Sequence, residues 1–297
     1  MAFLSAFIIF TIVMQQYPEQ HILQELEGIY SRQEISILTR LILEEVCANS
    51  FSDITTYKNS HLSGSERGKV QDIVHRLKKG EPIQYLLGKT EFYGIPFKVT
   101  PDVLIPRPET EELVEWILTE KRSQGRSVLD IGTGSGCIAV TLAKKMPHAD
   151  VYAWDVSERA LKVASENALL NGVNVEFSVQ DIFQSVNSNP TFDLIVSNPP
   201  YVTKSEKRYM EINVLGFEPH EALFVPDNHA LIFYERIAEI ALISLHKGGE
   251  IYFETNRDKG GEVCDMLQER GFVNIELKKD ISGNERMVRA TKPEDHG

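Results

Sequence analysis

The sequence predicts an α/β protein in which an open, mostly parallel sheet follows a small N-terminal helical bundle. Three observations lead to this fold class. Residues 20–80 show helical periodicity, and residues from 106 onward alternate short apolar runs with helical segments. A glycine-rich stretch, DIGTGSG (130–136), joins one apolar run to a helix. Such alternation is typical of parallel sheets that helices cover on both faces.

The helical part carries its own start and stop signals. Two capping boxes, Ser31 with Glu34 and Ser63 with Glu66, each precede an apolar stripe at helical spacing. Gly80 ends the second of these helices. From the residues alone, 20–88 is a packing module, because it holds no catalytic constellation.

Residues 1–19 contain an uncharged apolar run, AFLSAFIIFTIVM (2–14). It is shorter than the roughly 17–25 residues that a membrane span needs. It also lacks the basic start and the small-residue cleavage site of a signal peptide. We expect a non-essential leader with Met14 as the working start. A packed helix and a membrane-directing role stay open as alternatives.

The segment KTEFYGIPFKVT (89–100) predicts a hairpin with Gly94 and Pro96 near its turn, which makes 89–105 a connector to the sheet domain, 106–297. Two late segments, NIELKKD and RMVRAT, predict an antiparallel edge. Five strand candidates and four helices fill the domain between these features. They are the strands 128–132, 151–155, 175–179, 193–197 and 250–254, and the helices 111–121, 137–145, 158–170 and 230–245.

Composition limits the possible partners. The net charge is −12 and the pI about 5.2, which does not suit a protein whose main partner is nucleic acid. The three cysteines are widely spaced and show no CxxC pair, so we expect neither disulfides nor a zinc site. We therefore expect a cytoplasmic protein without a metal and without stable membrane association.

The glycine loop is the strongest cofactor signal. Gly132 and Gly134 allow a tight turn and close backbone approach, and Gly136 allows the following helix to pack closely. The spacing is GxGxG, with Asp130 two residues ahead, and differs from the dinucleotide pattern GxGxxG. An acidic residue before the loop favours a cationic ligand over a pyrophosphate.

Two further acids follow the next two predicted strands. Asp155 can accept the hydroxyls of a ribose, the usual role of an acid about 20 residues beyond such a loop. Its alternative role is to cap a helix, although Ser157 is better placed for that. Asp181 can accept an adenine amine, with Ile182 and Phe183 as an apolar wall. Loop and acids together indicate S-adenosylmethionine.

The fourth predicted strand ends in SNPPY (197–201). The carboxyl ends of strands in open α/β sheets bind ligands, so this corner faces the same crevice as the loop. The Asn198 side-chain oxygen and the Pro199 carbonyl provide two acceptors for a planar –NH₂, and Tyr201 can stack on a flat group. The alternative is a purely structural role for SNPPY, in which the two prolines only end the strand; the nearby glycine loop disfavours this role.

These motifs identify a resemblance. DIGTGSG followed by SNPPY resembles class I S-adenosylmethionine-dependent methyltransferases, which have a Rossmann-like sheet. EPIQYLLGKTEFYG (81–94), LIPRPETEELVE (104–115), FEPHEAL (217–223) and DISGNERMV (280–288) resemble the protein-(glutamine-N5) methyltransferases that modify peptide-chain release factors. The resemblance covers about residues 23–292. The family usually carries the pattern E-x-G where this chain has Glu254-Thr255-Asn256, and residues 2–14 also depart from the family pattern; both departures lie outside the reacting corner.

The resemblance implies an activity and a set of site residues. The protein would methylate the glutamine of the Gly-Gly-Gln loop in release factors, tuning translation termination, and the helical domain would help to dock the release factor. Asn198 and Pro199 would be catalytic, and Phe97, Arg107 and Glu109 would form a lid. Substrate would be held by Asn198, Pro199, Pro200 and Tyr201; S-adenosylmethionine by Gly132, Thr133, Gly134, Ser135, Gly136, Asp155, Asp181, Ile182 and Asn198.

Alternatives stay open at this point. A ribosomal-protein glutamine methyltransferase shares almost every motif. An N6-adenine methyltransferase uses the same corner on a flipped base, but it needs a basic groove that the net charge disfavours. A non-catalytic protein with a retained cofactor pocket is disfavoured by the intact NPPY and Asp155.

Overall fold

The computed structural model of the protein describes residues 18–47, 62–120, 126–186 and 189–294. The chain divides into two compact units, Met1–Leu87 and Gly88–Gly297. Residues 2–14, for which we expect a leader, lie outside the described residues. Among the residues described, none of the helices combines the length and the apolar character that a membrane span requires.

The first unit is helical. Both capping boxes form: the Ser31 amide donates to Glu34 Oε2 over 2.8 Å, and the Glu66 amide donates to Ser63 Oγ over 3.2 Å. The apolar stripes of the helices meet in one buried cluster that includes Ile22, which has no exposed surface. The helices are α1 (Pro18–Leu26), α2 (Arg32–Cys47), α3 (Gly64–Leu77) and α4 (Ile83–Leu87).

The second unit begins with the hairpin, whose strands pair from Lys89↔Lys98 to Phe92↔Ile95. Its central sheet has seven strands. The strands of the unit are β1 (Lys89–Phe92), β2 (Ile95–Lys98), β3 (Ser127–Ile131), β4 (Asp150–Asp155), β5 (Glu176–Val179), β6 (Phe192–Ser197), β7 (Val202–Thr203), β8 (Phe224–Val225), β9 (Leu245–Glu254), β10 (Val273–Lys279) and β11 (Glu285–Thr291).

Helices connect these strands. The connectors are α5 (Pro108–Thr119), α6 (Cys137–Lys145), α7 (Glu158–Asn171), α8 (Ile212–Phe217), α9 (Ile232–Ser244) and α10 (Gly260–Glu269), with 3₁₀ turns at Lys204–Tyr209 and His220–Ala222. Ser157 caps α7 by accepting from the Ala160 amide over 3.2 Å, as expected. The small β7–β8 sheet and the helical turns between its two strands were not predicted.

The strand order of the central sheet is β10-β11-β9-β6-β3-β4-β5. Strands β3, β4, β5, β6 and β9 run parallel, and β10 and β11 add the predicted antiparallel edge. The chain passes from β3 outward through β4 to β5 and then returns to β6 on the other side of β3. The boundary between β3 and β6 is therefore a topological switch point, where ligands bind in open α/β sheets.

Two apolar clusters cover the two faces of this sheet. One includes Leu113 and Ile117 of α5 with Val140 of α6; the other includes Ile237 and Ala241 of α9. Strand residues such as Val128, Leu129, Ile195 and Val196 have no exposed surface. Burial on both faces explains why these strands are continuous apolar runs without an alternating pattern.

Candidate active site

The two strongest motifs lie at the switch point. The glycine loop 132–136 follows the carboxyl end of β3, and Asn198 follows the carboxyl end of β6. Strands β3 and β6 are hydrogen-bonded neighbours, with Ile131 paired to Ser197 at their last position. The Ser197 hydroxyl donates to the Ile131 carbonyl over 2.7 Å, which fastens the two strand ends together.

The glycine loop is held by β4. The amides of Gly132 and Thr133 donate to the Trp154 carbonyl over 2.8 and 3.0 Å. Asp155 Oδ2 accepts from the Gly134 amide over 2.9 Å, and its Oδ1 accepts from the Ser157 amide over 2.9 Å. Partial burial raises the pKa of Asp155, while these amide donors oppose the shift. Asp155 thus braces the loop, a contact that the sequence did not predict.

The loop glycines meet different surroundings. All three have positive φ, +74° at Gly132, +55° at Gly134 and +80° at Gly136. A Cβ at Gly136 would lie 3.0 Å from the Cβ of Ala164 in α7, so the loop packs directly on that helix. A Cβ at Gly134 would meet no atom within 4 Å. That open face of Gly134 is where a ligand can approach the backbone.

Asp130 lies beneath the loop and is fully buried. Its Oδ2 accepts from Thr133 Oγ1 over 2.6 Å and from the Ala139 amide over 3.2 Å. Its Oδ1 has no hydrogen-bond partner in the described residues. Burial raises the pKa of Asp130 to about 7, and the charge of Asp155 adds to the shift. A buried acid with one open oxygen suits a nearby cation.

The third acid lies in the turn after β5. Asp181 Oδ1 accepts from the Phe183 amide over 2.9 Å, so its carboxylate is already oriented by the backbone. Ile182 is buried within the second apolar cluster, and Phe183 is 46% exposed beside Phe233. The exposed ring of Phe183 is thus available to pack on a ligand, whereas Ile182 contributes mainly to the core.

The corner residue Asn198 is tied to two other elements. Its Nδ2 donates to Thr110 Oγ1, in the first turn of α5, over 3.2 Å. Thr110 Oγ1 in turn donates to Glu254 Oε2, at the end of β9, over 2.6 Å. The Tyr201 hydroxyl donates to the other oxygen, Glu254 Oε1, over 3.4 Å. One carboxylate therefore supports both Asn198 and Tyr201.

Glu254 has almost no exposed surface. Burial raises its pKa to about 7, and the donors Thr110 and Tyr201 and the positive charge of Arg286 oppose this shift. Burial also raises the pKa of Tyr201, with the Glu254 charge contributing, so the tyrosine stays protonated and donates. The sequence pointed to the departure after Glu254 but gave Glu254 itself no role.

The two residues after Glu254 contact two different elements, β11 and the 3₁₀ turn that follows the corner. Thr255 donates its amide to the Arg286 carbonyl over 2.8 Å, and Asn256 Nδ2 donates to Glu206 Oε1 over 3.3 Å. Asn256 does not have a positive φ. The backbone there consequently does not require a glycine, which explains how this chain tolerates its departure from the family pattern.

A cavity of about 210 Å³ opens beside the corner. Asn198 and Tyr201 are polar lining residues, and the other described lining residues are apolar except Arg107. The Arg107 charge is already compensated, because its Nη2 contacts both carboxylate oxygens of buried Glu218 over 2.7 and 2.8 Å. The full lining is Leu104, Arg107, Asn198, Pro199, Tyr201, Val202, Met210, Val214, Ala222 and Leu223.

The three residues expected to form a lid lie in three different surroundings in the structure. Arg107 lines the cavity, and Glu109 lies half-buried in the first turn of α5, where its charge helps to raise the pKa of Glu254. Phe97 does not line this cavity. Its ring is fully buried in the core, edge-on to Phe92 at a centroid distance of 6.0 Å. A side chain without exposed surface packs the core instead of covering a ligand.

Comparison with known proteins shows which family this chain resembles. The Methyltransferase small domain model matches residues 109–216, and the PrmC N-terminal domain model matches residues 15–88. A release factor glutamine methyltransferase from Flavobacterium psychrophilum is 44% identical over 282 residues, covering 94% of this chain and 99% of the relative. Another from Bacteroides thetaiotaomicron is 45% identical over 273 residues, covering 92% and 98%.

The chain belongs to the release factor glutamine methyltransferase family. A methyltransferase crystal structure from Pyrococcus furiosus, 20% identical, covers 75% of this chain and all of its own with a TM-score of 0.51, which supports the fold. Membership of the release factor glutamine methyltransferase family confirms the recognised resemblance and the predicted class I methyltransferase fold. Among the described residues, no cluster of three or more His, Cys, Asp or Glu side chains is arranged to bind a metal ion.

Proposed function

We propose that the protein transfers a methyl group from S-adenosylmethionine to the side-chain amide nitrogen N5 of the glutamine in the Gly-Gly-Gln loop of peptide-chain release factors. One observation carries the proposal: the glycine loop and the Asn198 corner follow neighbouring strands, β3 and β6, at the switch point, and Asn198 lines a cavity there. Family membership supplies the identity of the protein substrate.

The character of the cavity supports a neutral substrate group. Its described walls are mainly aliphatic, and the charge of Arg107 is compensated by Glu218. A glutamine side chain is an aliphatic stem that ends in a neutral amide, which fits aliphatic walls that also include the polar residues Asn198 and Tyr201. A flipped base, in contrast, is often stacked between aromatic side chains. Tyr201 is the one aromatic side chain among the described lining residues, so this cavity fits a glutamine better.

The residues at β3 and β4 fit S-adenosylmethionine. The open face of Gly134 would admit the ligand, and buried Asp130 beneath the loop, whose Oδ1 has no partner in the described residues, would be ionised more readily beside a cationic ligand. Asp155 accepts from the amides of Ser157 and Gly134, and a carboxylate has about four acceptor positions, so it can also accept from ribose hydroxyls. Asp181 with Phe183 would contact the adenine. When bound, S-adenosylmethionine supplies an electrophilic methyl group.

The corner would activate and orient the substrate amide. An amide nitrogen is a weak nucleophile because its lone pair is delocalised into the carbonyl. Asn198 Oδ1 and the Pro199 carbonyl would accept hydrogen bonds from its two N–H groups. These bonds would hold the nitrogen in line with the methyl group and stabilise the positive charge that develops during attack. Fixed acceptors of this kind act by preorganised electrostatics and positioning. The methylated nitrogen then loses a proton to solvent.

We further propose that the helical unit helps to dock the release factor. A reaction on a translation factor also fits a cytoplasmic location, with no nucleic acid bound directly by the protein. The PrmC N-terminal domain match to residues 15–88 supports a family-specific role for this unit. The domain limits expected above, with a connector at 89–105, remain a prediction.

The test uses full-length release factor and S-adenosylmethionine with a labelled methyl group. We expect label on the release factor and none on a copy whose loop glutamine is replaced by alanine. Equal labelling of the two proteins would refute the target. A parallel reaction with ribosomal proteins separates the two glutamine substrates, because preferential labelling there would assign the enzyme to a ribosomal protein.

A further inference from the structure

The hydrogen bonds around Asn198 determine which end of its amide faces the cavity. The bonds run from Asn198 Nδ2 to Thr110 Oγ1 over 3.2 Å and from Thr110 Oγ1 to Glu254 Oε2 over 2.6 Å. The three residues come from three different elements, the end of β6, the first turn of α5 and the end of β9. Thr110 and Glu254 are 2% and 1% exposed.

The donor and acceptor inventory fixes the direction of these bonds. Above its pKa of about 7, Glu254 is an ionised carboxylate that only accepts, so the Thr110 hydroxyl gives its single proton to Glu254. The Thr110 oxygen can then only accept, and the part of Asn198 that faces it must be the Nδ2 donor. Asn198 Oδ1 is thereby left on the opposite side, and it accepts no hydrogen bond from the described residues.

We propose that Thr110 and Glu254 are positioning residues that hold the Asn198 side chain in the orientation in which Oδ1 meets the reacting amide nitrogen of the substrate. The inference rests on the proposed function for its substrate, and it adds two residues, Thr110 and Glu254, that are not among the site residues predicted from the sequence. In the flipped orientation, Asn198 would point its own –NH₂ at the –NH₂ of the substrate, and two donors repel each other.

The chain of hydrogen bonds from Asn198 through Thr110 to Glu254, called the relay below, is rigid because of Glu254. Its second oxygen accepts from the Tyr201 hydroxyl over 3.4 Å, so the carboxylate is held at both ends. The Tyr234 hydroxyl donates to the Glu254 main-chain carbonyl over 3.1 Å and fixes the end of β9. A buried network with its members paired restricts each side chain to one arrangement.

A matched pair of variants tests Thr110. Thr110→Val keeps the branched shape and removes the hydroxyl, whereas Thr110→Ser keeps the hydroxyl. We expect Thr110→Val to lower kcat on release factor about tenfold, part of the roughly 10²-fold that a 1 Å misplacement can cost. Thr110→Ser should stay within about twofold of the wild type, and calorimetry should show similar S-adenosylmethionine affinity for both variants, because the relay acts on Asn198.

A double variant distinguishes positioning from a general structural role. If Thr110 acts through Asn198, adding Thr110→Val to Asn198→Ala should change kcat by less than about twofold, because groups that act as a unit are not additive. A purely structural role would give the same about tenfold loss in both backgrounds. Additive losses would therefore overturn the proposal.

Nuclear magnetic resonance of ¹⁵N-asparagine-labelled protein gives a readout that does not need a substrate. Asn198→Ala assigns the side-chain amide signals of Asn198 by their loss. We expect Thr110→Val to move these signals and Thr110→Ser to leave them close to their wild-type positions. Unmoved signals in Thr110→Val would overturn the relay, even if the protein substrate proved to be different. Failure to label any release factor, with the expected signal changes, would refute the proposed function alone.

Glu254→Gln tests the second member. The glutamine can turn either its oxygen or its nitrogen to Thr110, so the direction of the bonds is no longer fixed. We expect its kcat to fall between those of the wild type and Thr110→Val, with the Asn198 signals broadened or shifted. A wild-type kcat together with wild-type signals would overturn the role of Glu254.

Discussion

Replacing two glycines of the same loop by alanine separates its two functions, packing on α7 and access for the ligand. Gly136 has a φ of +80°, and a Cβ there would lie 3.0 Å from Ala164 Cβ and 3.2 Å from Ala164 Cα. The left-handed conformation costs a non-glycine residue about 1–2 kcal/mol. Overpacking against a helix backbone adds about 1–3 kcal/mol. We therefore expect Gly136→Ala to lower the free energy of unfolding by about 2–5 kcal/mol.

Gly134 is the matched control, because its φ is +55° but a Cβ there would meet nothing within 4 Å. Gly134→Ala should cost only the conformational strain, about 1–2 kcal/mol. It should nevertheless weaken S-adenosylmethionine binding at least about tenfold if the ligand approaches this backbone, as in other glycine-rich loops. Urea unfolding measures the first quantity, with an unchanged slope as the check on two-state behaviour, and calorimetry measures the second. Equal destabilisation by the two variants, or wild-type affinity in Gly134→Ala, would refute the assignment.

Three further predictions follow from the site. Asn198→Ala should keep S-adenosylmethionine affinity within about tenfold and lower turnover by about 10²–10³, the scale of one preorganised transition-state contact; unchanged turnover would contradict its role. The pKa of Asp130 is raised to about 7 in the folded protein, so its ionisation destabilises the fold as the pH rises from about 4 through 7. In the absence of ligand, the free energy of unfolding of Asp130→Asn, relative to that of the wild type, should therefore rise by about 2–3 kcal/mol between pH 5 and pH 8, as measured by urea unfolding. A difference that stays constant over this range would show that Asp130 does not titrate there. Arg107→Leu leaves the buried Glu218 carboxylate without its partner and should lower the free energy of unfolding by about 2–3 kcal/mol, less than for a fully buried pair because Arg107 is partly exposed. Glu218→Gln should lower it by less, and the reverse order would contradict the assigned ion pair.

The fold could be predicted because its core strands are strongly marked. Five parallel strands were located to within about two residues at their carboxyl ends, since apolar runs such as DLIVS are followed at once by glycine or a polar residue. The start of β9 was missed because His246 and Lys247 are exposed polar residues at its amino end. The β7–β8 pair was missed because two-residue strands have no detectable period.

The site was predictable where a motif places a residue at a strand end, and less so where a contact joins distant segments. The glycine loop and Asn198 follow the paired ends of β3 and β6, as the motifs predicted for their strands, whereas their roles stay predictions. The Thr110–Glu254 contact spans 144 positions, and nothing local to PRPETE or EIYFE indicates it. An acidic residue at the carboxyl end of a buried strand was the available signal for Glu254. Phe97 shows the opposite case, because similarity to a motif says nothing about burial.

The central claim is that the corner presents a glutamine amide to the methyl donor, and mapping the methyl group tests it most directly. Release factor incubated with the protein and S-adenosylmethionine would be digested, and the loop peptide analysed by tandem mass spectrometry. We predict a single added methyl on the side-chain nitrogen of the loop glutamine, absent when the Asn198→Ala variant is used for the same time. A methyl group on a different residue, or an unmodified loop beside a methylated ribosomal protein, would contradict the account.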